Sequence, residues 1–151
     1  MLKTAKIDRP CPTEAEEQET LMRWADWATA QHPELAMLHH VPNGGSRHPK
    51  EAQNLRRQGV KAGVPDLCLP VPRGPYHGLY IELKRLWGNG LSPDQRTWLE
   101  ALISQGYMAV MCRGAEAAQR VIERYLAMPV PPPERRPDWR KIERSKKDEN
   151  S

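Results

Sequence analysis

Leu79-Tyr80-Ile81-Glu82-Leu83-Lys84 constrains this chain more than any other stretch, because it reads as an apolar strand that carries two charges. Alternation along a strand puts Leu79, Ile81 and Leu83 on one face and Tyr80, Glu82 and Lys84 on the other. A carboxylate without a partner is costly in such surroundings. Glu82 therefore belongs to a buried ion pair with Lys84, to a surface edge strand, or to a cation site. Upstream, Gly63-Val64-Pro65-Asp66-Leu67-Cys68-Leu69 reads as a turn and a second strand. Hairpin pairing that set Asp66 beside Glu82 and Lys84 would gather two hard oxygen ligands and one positive charge, a set suited to a divalent cation and a phosphate. Taken singly, Asp66 also fits a turn aspartate after proline, and Lys84 an exposed strand end.

The remaining pattern is that of a mixed α/β chain. Leu21, Trp24, Ala25 and Ala28 repeat with helical spacing, predicting a helix over 14–30 that opens with a Thr13/Glu16 capping box. A short strand is expected over 35–41, ending in the Pro42-Asn43-Gly44-Gly45 turn, then a basic helix over 49–58 closed by Gly59. Ser92 and Pro93 mark another helix start, with Trp98, Leu99, Leu102 and Ile103 as its apolar face. Gly106 ends it, 107–112 supplies a buried strand, and 115–126 a last helix packing Ala118, Val121, Ile122 and Tyr125. The run Pro129-Val130-Pro131-Pro132-Pro133 and the charged segment after it mark a boundary, with a solvated, disordered tail expected over 129–151.

At 151 residues one domain with a modest core is expected. The chain has no Phe, so its five Trp and many Leu must supply bulk, with Trp24, Trp27 and Trp98 at core-facing helical positions. Twenty-three basic against 19 acidic residues give a net charge of +4. Its distribution says more than its size. Arg47, Lys50, Arg56, Arg57 and Lys61 gather just before the Asp66 turn, and basic residues beside a cation site favour a polyanion. A solvated helix face is the alternative. Three widely spaced cysteines, Cys11, Cys68 and Cys112, form neither a zinc ribbon nor a disulfide framework, and a reducing cytoplasm is the simple expectation. No apolar run is long enough for a membrane span, and the N-terminus makes a poor signal peptide.

Asp66 after a Gly-x-Pro turn, followed by Glu82-Leu83-Lys84, resembles the Asp plus Glu-x-Lys signature of restriction-endonuclease-like nucleases. With Leu91-Ser92-Pro93-Asp94-Gln95 added, the ordered set resembles the virus-type replication-repair nuclease (VRR-NUC) domain over about residues 13 to 128, leaving 1–12 as an N-terminal extension. The resemblance implies a restriction-endonuclease-like core, a mixed central sheet flanked by helices. It also implies hydrolysis of DNA phosphodiester bonds with Mg2+ or Mn2+. Stand-alone, virus-type members act as homodimers on branched DNA such as four-way (Holliday) junctions, and the same is expected here.

By the same resemblance, Asp66, Glu82 and the Leu83 carbonyl hold metal, and Lys84 assists the attacking water and the phosphate. A first-helix carboxylate completes the set. Glu14, four residues before Gln18, matches the family spacing, with Glu17 in reserve; both would otherwise complement the helix N-terminus. Gln95 matches the glutamine after the family's Ser-Pro turn, and it also closes a Ser92-x-x-Gln95 capping box. Asn43, Arg47, Lys50, Arg56, Arg57 and Lys61 are the expected DNA contacts. His39 and His40 are expected to be structural. The rival readings are a non-catalytic nucleic-acid-binding module on the same fold and a nuclease acting on RNA.

Overall fold

The computed structural model describes residues 11–43 and 48–133. Helix α1, Glu14–Ala28, starts at the expected capping box: Thr13 N donates to Glu16 Oε2 at 2.7 Å and Glu16 N to Thr13 Oγ1 at 3.2 Å. Leu21, Ala25 and Ala28 form its buried stripe and Trp24 packs beside them. Trp27 is instead 72% exposed. It lies about 120° round the helix from Leu21, outside the stripe.

The strand expected over 35–41 is mostly a 3-10 helix, Pro33–Met37, leaving only β1, His39–His40. Pro33 sets the helical φ at its first position, and Leu35 N and Leu38 N bond to carbonyls three residues back, at His32 and Leu35. Helix α2, Pro49–Arg57, follows and buries no side chain. Gly59, at φ +97°, ends that segment in the left-handed region where glycine is favoured.

Strands β2 (Leu67–Leu69) and β3 (Leu79–Lys84), helix α3 (Pro93–Ser104), strand β4 (Met108–Arg113) and helix α4 (Ala115–Leu126) complete the chain's order. The sheet runs β1-β2-β3-β4, with β3 and β4 parallel and the other pairs antiparallel. One sheet face carries Leu67, Leu69, Leu79, Ile81 and Leu83 against Leu21, Ala25, Ala118, Ile122 and Tyr125. The other holds a smaller cluster, in which Leu99, Leu102 and Ala109 pack with Tyr80, Trp98 and Tyr107. Ile103, expected on that apolar face, is 56% exposed. The α3 side of the sheet is thus only partly covered by apolar contacts, and that is where the charged face of β3 lies.

The β2–β3 hairpin is open at the end that carries Asp66, Glu82 and Lys84. Its connection, 70–78, lies at the far end, fastened by Tyr125 Oη donating to the Val71 carbonyl at 2.6 Å and by an Arg73–Glu34 ion pair at 2.6 Å. Gly74 N donates to the Pro129 carbonyl at 2.7 Å, so packed chain runs one residue past the boundary expected after Met128. All three cysteines are free, and Cys68 and Cys112 are buried. Among the described residues no helix is long and apolar enough to cross a membrane.

Candidate active site

The alternation expected for β3 is what the structure contains: Leu79, Ile81 and Leu83 enter the larger core while Glu82 and Lys84 turn to the other face. Leu67 pairs with Ile81, so the antiparallel register carried one residue further sets Asp66 opposite Glu82. Asp66 is no ordinary turn aspartate. Its Oδ2 accepts a hydrogen bond from Leu83 N at 2.8 Å, which fixes the carboxylate across the end of β3.

The Gly63-Val64-Pro65 turn that delivers Asp66 is held against the N-terminus of α3. Gly63 has φ +85°, and a Cβ there would lie 2.6 Å from the Asp94 backbone. Only glycine permits both the conformation and the approach. Trp98 Nε1 donates to the Ala62 carbonyl at 3.1 Å, closing the same contact. The motif thus joins two segments of the site, a role that the sequence spacing did not disclose.

Glu82 is 1% exposed. Its Oε1 accepts from Gln95 Nε2 at 2.7 Å and pairs with Lys84 Nζ at 3.3 Å, while its buried Oε2 has no hydrogen-bond partner in the protein. Burial and then the neighbouring Asp66 carboxylate push its pKa up to about 7, with Lys84 opposing the shift and Glu14 adding to it. A buried acid with an unsatisfied oxygen, crowded by like charge, is a site with room for positive charge.

Gln95 closes the expected capping box and also points toward β3. Its Oε1 accepts from Ser92 N at 2.9 Å, closing the capping box, and its Nε2 reaches Glu82. The helix cap therefore aims the amide. The first-helix acids separate cleanly. Glu14, on the exposed first turn of α1, lies 3.9 Å from Lys84 Nζ. Glu17 is buried, and its Oε2 accepts from Ala115 N at 2.7 Å, capping α4, whose own N-cap residue is Gly114. Glu17 thus has a structural partner through one oxygen, while Glu14 is the first-helix acid that pairs with Lys84.

The residues present fit a divalent cation in kind: Asp66 and Glu82 supply hard oxygens, and the orphaned Glu82 Oε2 gives one of them a reason to bind. Among the described residues no three acidic, imidazole or thiol side chains already surround one point. Glu14, half exposed, has the freedom to turn inward.

The expected DNA contacts that lie among the described residues are mostly on the surface. Lys50, Arg56 and Arg57 project from α2 into solvent, Lys61 is exposed, and Asn43 is half-buried. Arg47 lies outside the described residues. His39 and His40 are exposed and bonded to backbone: His39 Nδ1 to the Met37 carbonyl at 2.9 Å and His40 Nδ1 to the Asp66 carbonyl at 2.8 Å.

The model of the VRR-NUC domain matches residues 2–116. This chain belongs to the VRR-NUC domain family. The matched segment begins inside the expected N-terminal extension and ends in the first turn of α4. A solved structure described as a VRR_NUC domain protein superimposes with a TM-score of 0.66 at 35% identity, covering 77% of this chain and 89% of that one. No curated protein matches. The mixed sheet between helices is accordingly a restriction-endonuclease-like α/β core, and the family is of nuclease type.

Proposed function

We propose that this VRR-NUC domain is a divalent-cation-dependent endonuclease that hydrolyses DNA phosphodiester bonds, with Mg2+ or Mn2+ at Asp66 and Glu82. The observation that carries the reading is the buried, unpartnered Oε2 of Glu82 beside the fixed Asp66 carboxylate. A structural ion pair with Lys84 would not need it, since Lys84 already pairs with Oε1. A binding module would have no use for buried acids where phosphates must approach.

Asp66 and Glu82 would hold the cation, with the carbonyl of Leu83, between Glu82 and Lys84 in the chain, as a further oxygen. When bound, the cation supplies a Lewis acid that offsets charge developing on the phosphate and lowers the pKa of water. Lys84, tethered to Glu82, presents its ammonium to the same point and is placed to hold a phosphate oxygen or orient a water. Gln95 keeps Glu82 turned into the site. Lys50, Arg56, Arg57 and Lys61 would meet the DNA backbone away from the scissile bond.

Four-way junction, flap, single-stranded and linear duplex DNA, and RNA, incubated with Mg2+, Mn2+ or EDTA, test the reading. Cutting of DNA with either metal and none in EDTA supports it, and preference for the junction by a dimeric protein supports the branched-DNA expectation. Cleavage that persists in EDTA, or binding of every form with cleavage of none, overturns it. Calorimetric titration of Mn2+ into wild type and Glu82→Gln reports the cation site without any cleavage.

A further inference from the structure

The segment between β3 and α3, residues 85–91, starts next to Lys84 and ends next to Ser92, so both of its ends are tied to Glu82: one through the Lys84 ion pair, the other through Gln95. It is a held loop. Arg113 donates to the carbonyls of Arg85 and Asn89 at 3.0 and 3.4 Å, and the Arg85 guanidinium donates to those of Pro12 and Cys11 at 3.1 and 2.9 Å. Leu86 is seated so closely against Gly114 that a Cβ there would lie 2.7 Å from its Cδ2. Trp87 is left 65% exposed. On its C-terminal side Gly88 and Gly90 carry no side chain and have no neighbouring atom within 4 Å of where a Cβ would stand.

The loop thus presents an exposed indole three residues along the chain from Lys84, in a chain of net charge +4. Resting on the nuclease reading, we propose that Trp87 stacks on an unpaired base of the DNA substrate. Trp87 is three residues from Lys84, within about 10 Å along the backbone. The stacked base would thus lie only a few nucleotides from the phosphate to be cut. Every base offers a π-face, so the contact is tolerant of sequence, but it requires a base that is not already stacked inside a duplex. What Trp87 adds is the contact itself: it would engage a nucleotide that is unpaired near the cleavage position.

The test uses the full chain in EDTA, where cleavage plays no part, with a single-stranded oligonucleotide containing 2-aminopurine and the same sequence as a continuous duplex. Wild type should quench the single-stranded probe and bind it more tightly through Trp87. Trp87→Ala should lose the quench and weaken that binding about 5- to 100-fold. Trp87→Phe, which keeps a ring, should restore most of both. The salt slope of binding should not change, because no charge is lost. The proposal is overturned if wild type fails to bind the probe, if Trp87→Ala binds and quenches as wild type does, or if the variant only converts a dimer to monomer at unaltered DNA affinity. Wild type that stacks the probe but cuts nothing in metal would defeat the nuclease reading and not this one; cutting with an inert Trp87 would do the reverse.

Discussion

Glu17 and Glu82 are both buried carboxylates, 8% and 1% exposed, yet they are built for opposite ends. Glu17 sits on a helix and spends an oxygen on Ala115 N, a donor that α4 cannot satisfy from its own glycine N-cap. Glu82 sits on a strand between Lys84 and Gln95, faces Asp66, and keeps one oxygen with nothing to accept from. Burial alone therefore does not mark a functional acid. The difference lies in whether the fold completes the group's hydrogen bonds or leaves one to be completed from outside.

The sharpest way to break that contrast is to neutralise Glu82. Glu82→Gln and Asp66→Ala should each lower the cleavage rate at saturating Mn2+ by at least about 10²-fold, judged against the loss of a single preorganised electrostatic group. Both should remain folded and bind DNA as tightly as wild type or more so, since each change removes repulsion from phosphate. Wild-type cutting by either would return Glu82 to the same category as Glu17. Next in size, Lys84→Ala should slow cleavage about 10²- to 10⁴-fold, the usual reach of a group acting on a proton or a phosphate. Its affinity for Mn2+ by calorimetry should change far less, and full rescue by added metal would contradict this role.

Glu17→Ala should give the mirror-image result. Leaving the Ala115 amide buried and unpaired should cost about 1–3 kcal/mol, seen as a lower melting temperature, while cleavage per folded molecule holds. A loss of metal binding without a loss of stability would restore Glu17 as a ligand.

A smaller effect tests the electrostatics without any substrate. In the cation-free folded chain Glu82 titrates at about 7, against 4.5 for an ordinary glutamate. Folding thus favours its protonated form, so its contribution to stability is fullest below about 4.5 and is lost as pH rises through about 7. Melting curves in EDTA should show wild type losing stability relative to Glu82→Gln over that range, and saturating Mn2+ should erase the difference. Smallest of all, Glu14→Gln should weaken Mn2+ affinity and cleavage more than Glu17→Gln does, because Glu14 is the one beside Lys84.

Much of this is legible in the amino-acid sequence. Alternation in β3 placed Glu82 and Lys84 on one face, the two capping boxes marked where α1 and α3 begin, and the bounds of α4 are those expected. Periodicity is local, and these features are local. It misjudged Trp27 and Ile103 because an apolar residue near the edge of a helical stripe turns inward only if something covers it. It missed the 3-10 turn at Pro33, where the proline presets a helical φ and Glu34, Leu35, Ala36 and Met37 all favour helix over strand. Long-range partners had no sequence signal: Glu17 bonds to Ala115, 98 positions away.

The open-ended hairpin carries a consequence for how such a chain tolerates change. Because the register of β2 against β3 fixes Asp66 opposite Glu82, the distance between the two acids does not depend on the length of the connection at 70–78, which closes the hairpin at its other end. Residues could be added or removed there, at some cost in its contacts to Glu34 and Pro129, without displacing the acids from one another. A single residue inserted inside either strand would instead turn the face over and send the acids into the core. Length variation and reporter insertions belong at the far turn, whereas the strands admit substitution but not slippage.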